Sequence, residues 1–134
     1  MNRHRIVQPE GWPRPSGYSN GLSSRGRVVS VAGQVGWNPR TCKFESDELA
    51  AQARQALDNV LAVLRAGGAS PMHVVRMTWF VVDRRAYAEA RAAIGKAYRE
   101  IMGDHYPAMS LVVVAGLLEE KALVEIEATA MVPE

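Results

Sequence analysis

"HVVRMTWFVV", residues 73–82, decides how this chain folds. Its β-branched and aromatic residues read as a strand. Side chains alternate across a strand, so Val75, Met77, Trp79 and Val81 share one face, while Val74, Phe80 and Val82 share the other with Arg76 and Thr78. A strand apolar on both sides is covered on both sides, which makes this one central. Helical patterns flank it. On the N-terminal side, Leu49, Ala53, Ala56, Leu57, Val60 and Leu64 recur at three- and four-residue spacing, with Gln52, Arg54, Gln55, Asp58 and Arg65 off that stripe. Ser46 reads as the N-cap, followed by Asp47 and Glu48, and Gly67, Gly68 and Pro71 stop the helix. On the other side Asp83 caps a second helix with the stripe Tyr87, Ala90, Ile94, Ala97, Tyr98 and Ile101, ending near Gly103.

Further out, Pro107 opens a strand in "YPAMSLVVVAG", residues 106–116. The last strand, "LVEIEATAMV", sets Val124, Ile126, Ala128, Ala130 and Val132 against Leu123, Glu125, Glu127, Thr129 and Met131. Before the first helix, "GYSNGL" reads as a short strand that pairs with "VVSVAGQVGW", residues 28–37, where Gly33 and Gly36 mark a bulge or a close backbone approach. Residues 1–15, with Pro9, Pro13 and Pro15, read as an irregular lead-in, and residues 16–134 as a single domain. The order ββαβαββ predicts an α+β fold: a mixed β-sheet with two helices packed on one face. The other face would expose an apolar patch in a monomer, and other copies of the chain are the economical cover.

The bulk composition removes several classes of function. With 134 residues and 48% hydrophobic content, the chain can bury one core. A net charge of +2 does not demand nucleic acid or an anionic membrane as a partner. No stretch reaches the roughly 18 apolar residues of a membrane span, and the arginine-bearing lead-in has no apolar signal region, so a cytoplasmic location is expected. The single cysteine, Cys42, closes no internal disulfide and reads as a loop thiol. The chain has no phosphate loop, no dinucleotide fingerprint and no helical histidine pair for zinc, so neither a cofactor nor a metal is expected. His4, His73 and His105 lie in separate segments. Glu125 and Glu127 aim at one side of the last strand, where a wet edge or salt bridges between copies is the simpler reading. Tyr18 alone reads as a core or interface ring, and Met109 alone as filler at the mouth of an apolar strand.

Five stretches carry a resemblance: "GYSNG", "SVAGQVGWNP", "AAQARQALDNVLAVLRAGG", "VVRMTWFVVD" and "YPAMSLVVVAGLLEEKALVEIEATA". From about Ser16 to the end, the chain resembles the Rid family, reactive intermediate deaminases also called YjgF-like and formerly L-PSP endoribonucleases. The resemblance implies a barrel-like homotrimer with sheets inward, helices outward and a small-molecule pocket at each subunit interface. It also implies hydrolysis of enamines or imines of small 2-oxo acids, without cofactor or metal, to the oxo acid and ammonia. Carried over, Tyr18 is the pocket tyrosine, Gly33 lends its backbone, and Glu125 is the catalytic acid that orients or activates water. Tyr87 and Arg91 reach in from the neighbouring subunit, and Leu111 stands where the family often has a cysteine whose backbone meets the ligand.

One position departs from the pattern. The deaminase branch resembles P-A-R-S or P-A-R-T after the proline, its arginine pairing with the substrate carboxylate, whereas this chain has "PAMS". Met109 offers no charged donor, so the pocket is expected to have an altered substrate preference. Two other readings stay open: a non-catalytic small-molecule binding or regulatory trimer and, ranked last, an RNA binder or endoribonuclease. No paired histidines or aromatic-interleaved basic stripe support the last.

Overall fold

The computed structural model describes residues 4–134. The elements are β1 (Arg5–Val7), β2 (Gly21–Ser23), β3 (Arg27–Val35), α1 (Leu49–Ala66), a single 3-10 turn (Pro71–His73), β4 (Val74–Val81), α2 (Arg84–Met102), β5 (Ala108–Val113) and β6 (Val124–Val132). The main sheet has the order β3-β6-β4-β5, with β4 and β5 parallel and the other pairs antiparallel. It is the expected α+β arrangement. Val74, Met77, Trp79 and Val81 of β4 and Val124, Ile126, Ala128 and Ala130 of β6 share one buried cluster with Leu57, Val60 and Leu64 of α1 and Ile94 and Tyr98 of α2.

The lead-in is more ordered than its prolines suggested. Arg5–Val7 pairs antiparallel with Gly21–Ser23 to form a separate two-stranded sheet; residues 1–3 lie outside the described residues. The expected pairing of the "GYSNGL" strand with β3 is therefore corrected: β2 pairs with β1, and β3 pairs with β6. The link between them crosses the end of β6 so closely that a Cβ on Gly26 would overlap the Val132 carbonyl. That passage turns the chain out of the main sheet.

A second correction concerns β4 itself. The register against β6 passes from Val74 opposite Ala130 to Arg76 opposite Thr129, leaving Val75 as a bulge. The extra residue puts Val74 on the helix side with Met77, where it is fully buried. The open face is accordingly less apolar than strict alternation implied. It carries Phe80, Val28 and Val112 together with Arg76, Thr78, Glu125 and Glu127. The anticipated break near Gly33 is present as a register shift between Val31 and Gln34.

Asp83 caps α2 as expected, its Oδ1 accepting from the Ala86 N–H at 3.0 Å. α1 begins later than its Ser46 signal: Glu48 is the N-cap without a side-chain cap bond, and the Ser46 hydroxyl accepts from the Glu48 N–H.

The turn between α2 and β5 is pinned by His105, whose Nε2–H donates to the Val74 carbonyl at 2.5 Å. The His4 ring stacks on it at 5.6 Å. Burial first, then the nearby His4 and His73, hold the His105 imidazole below its usual 6.5, while the hydrogen bond to Val74 opposes them. A base with a lowered folded pKa stays neutral in the fold while the unfolded chain takes up the proton. Stability is therefore full above about pH 6.5 and falls as the pH drops toward the folded value. Urea midpoints measured from about pH 7.5 to about pH 5.5 are expected to fall for the wild type and to fall less for His105→Gln. Equal slopes would reject this role for His105.

Candidate functional site

Pro107 and the chain around it build one wall of a cleft. The Ser19 N–H donates to the Pro107 carbonyl at 3.0 Å, and the Ser19 hydroxyl to the Tyr106 carbonyl at 2.6 Å. These bonds hold Tyr18 beside the start of β5. In β5, Met109 and Leu111 lie opposite Met77 and Trp79, which places them on the helix side of the sheet at its edge. The capped start of α2 sets the facing wall, where Tyr87, Arg91, Ile94, Gly95 and Tyr98 follow at helical spacing. Between the walls is a cleft of about 550 Å³.

Aromatic rings form its floor. Tyr98 stacks on Tyr106 with centroids 5.4 Å apart, and its hydroxyl donates to the His105 carbonyl at 2.6 Å. Burial, with Tyr106 adding to it, pushes the Tyr98 hydroxyl well above its usual 10, so it remains a donor. Trp79 also lines the cleft; it is 3% exposed, and its Nε1 has no acceptor among the described residues. Neither Arg91 nor Arg99, both in the lining, makes an ion pair or side-chain hydrogen bond among the described residues.

Thus Tyr18, Tyr87, Arg91, Met109 and Leu111 come together within one chain. Tyr87 and Arg91 need no second copy to join Tyr18, which corrects the expected division between subunits. Gly33 and Glu125 lie elsewhere. Glu125 pairs with Phe80 on the open face of the sheet, and a Cβ on Gly33 would stand 2.5 Å from its Oε2. The bare backbone of Gly33 is therefore what lets that carboxylate lie against β3. Sequence reading did not place Trp79, Gly95, Tyr98, Arg99 and Tyr106 in the cleft. Its available signal was the run of residues 87, 91, 94, 95 and 98 along one helix face, which apolar scoring split between core and surface.

Among the described residues no three His, Cys, Asp or Glu side chains gather to hold a metal. Among the described residues no helix is long and apolar enough to cross a membrane.

The sequence profile of the endoribonuclease L-PSP family matches residues 13–132. The chain is 38% identical over 109 residues to the 2-iminobutanoate/2-iminopropanoate deaminase of Escherichia coli, covering 79% of this chain and 80% of that protein. It is 34% identical over 127 residues to a RutC family protein of Haemophilus influenzae, covering 95% and 96%. Among solved structures, YyfB of Yersinia pestis, a Rid family protein of unknown function, superposes with a TM-score of 0.85 at 36% identity, covering 98% of this chain and all of that one.

Proposed function

The chain belongs to the endoribonuclease L-PSP family, also known as the Rid or YjgF family, and from that premise we propose that it is a cofactor-free hydrolase of reactive imines or enamines, working as a homotrimer with sites between subunits. The observation that carries this reading is the separation of the site residues by the sheet. The cleft lies on the helix side at the β5 edge, while Glu125 and Gly33 lie on the open face. One chain cannot join these halves; a neighbouring copy bringing its open face to the β5 edge can.

In such a joint site, water adds to the carbon of the C=N bond, and the Glu125 carboxylate takes the water's proton and passes it to nitrogen. The same carboxylate then carries the adduct's hydroxyl proton to the amino nitrogen, so that the C=O bond forms as the C–N bond breaks, leaving the oxo compound and ammonia. Met109 sets the preference. It occupies the strand wall of the cleft and supplies no charged donor for a carboxylate on a small substrate, a contact worth about 2–5 kcal/mol when buried.

The test is ammonia release, or interception of the imine by semicarbazide, using the imine of pyruvate. Met109→Arg is expected to raise kcat/KM about tenfold or more over the wild type. Adding Glu125→Ala should remove that gain. A wild type already as fast as the E. coli deaminase, or a Met109→Arg variant no faster than wild type, would reject this account of Met109. Light scattering that finds a folded monomer at micromolar concentration would remove the joint site altogether.

A further inference from the structure

We infer that the anion-binding group of this cleft is on α2, where Arg99 lies over Gly95, and that the ligand is an acid with a large flat apolar body, which makes the substrates imines of aromatic or similarly bulky 2-oxo acids. The imine part of this statement rests on the proposed hydrolase reading; the binding part rests on the cleft.

Gly95 stands inside the nineteen-residue helix α2, where glycine is among the poorest helix formers. Its placement has a spatial consequence. A Cβ there would stand 3.3 Å from Nη1 of Arg99, so the guanidinium lies close over Gly95, where a larger side chain would crowd it. Gly95 and Arg99 both line the cleft. The acid next along the helix, Glu100, is engaged by Arg54 and Lys96, and Arg99 has no ion pair or side-chain hydrogen bond among the described residues. Its forked donors remain available for a ligand carboxylate.

The strand wall offers the opposite chemistry. Met109 is a polarizable apolar surface beside Trp79, and the stacked Tyr98–Tyr106 pair adds rings at the floor. The Trp79 Nε1 is buried and has no acceptor among the described residues. The cleft volume of about 550 Å³ far exceeds what a three-carbon acid fills. Charge on the helix wall and rings on the floor and strand wall together select an acid that carries a ring.

Calorimetric titration with pyruvate, phenylpyruvate and phenylacetone separates these contributions. Phenylpyruvate is expected to bind about tenfold more tightly than either the small acid or the neutral ketone. Arg99→Met and Gly95→Leu should each lose about tenfold in phenylpyruvate affinity. Leucine is a better helix former than glycine, so the Gly95→Leu variant should melt no lower than wild type and its loss cannot be assigned to unfolding. Equal affinity for pyruvate and phenylpyruvate, or an Arg99→Met variant that binds like wild type, would overturn the inference. Ammonia release from the imine of phenylpyruvate distinguishes the two claims. Arg99-dependent binding without hydrolysis supports the inference and rejects the hydrolase, whereas hydrolysis unaffected by Arg99→Met does the reverse.

Discussion

Glu125→Ala is expected to lower imine hydrolysis about a hundredfold or more while leaving the fold intact. On β6, Val124 and Ile126 are fully buried toward the helices, and Glu125 between them is half-buried on the open face. It makes no ion pair or side-chain hydrogen bond among the described residues, so its oxygens are available to water. Removing it takes nothing from the hydrophobic core, and substitutions of this kind typically change stability by within about 0.5 kcal/mol. Glu125→Gln keeps the shape and removes the base, so it should lose comparable activity. Thermal melts, light scattering and ammonia release on the three proteins provide the check. Retention of more than half the wild-type rate in Glu125→Ala would assign the chemistry to another group.

Gly36→Ala is expected to destabilise the protein by about 4 kcal/mol or more, a large effect for adding one methyl group. The residue follows β3 at the point where α1 crosses closest, and its missing Cβ would overlap the carbonyl oxygen, Cα and Cβ of Gln52. The helix cannot easily retreat, because Gln52 is 1% exposed and fully used. Its Nε2 donates to the Ser46 and Lys121 carbonyls, each at 3.0 Å, and its Oε1 accepts from the Leu123 N–H at 2.8 Å. Two turns on, the Asn59 amide donates to the Val35 and Trp37 carbonyls at 3.1 and 2.9 Å. Relieving the overlap would pull these bonds apart and leave buried polar groups unpaired, at about 1–3 kcal/mol each. Urea denaturation measures the difference. A loss below about 1 kcal/mol would mean that helix and strand slide apart more freely than these bonds allow.

The sequence by itself determined the layers of this protein. The two-sided apolar pattern of "HVVRMTWFVV" marked a central strand, the stripes starting at Leu49 and Tyr87 marked two helices, and the alternation from Val124 to Val132 marked a strand with its acids on the other side. These features are local, because periodic burial of apolar side chains writes itself into neighbouring residues. Asp83 was legible for the same reason, since a capping acceptor and its N–H donor lie within three residues.

Only the tertiary structure decided what depends on partners distant in the chain. Gln52 falls off the apolar stripe by periodicity, yet it is buried against carbonyls that the fold brings from elsewhere, as is Asn59. The bulge at Val75, the pairing of β2 with β1, and the division of the site residues between the two faces of the sheet all follow from register against other strands. That Gly95 and Arg99 line a cleft shared with Met109 and Leu111 of β5 became visible only in the tertiary structure. Hydrophobic periodicity reports which side of an element is buried; which polar groups meet there, and at what distance, is settled by packing between segments tens of residues apart.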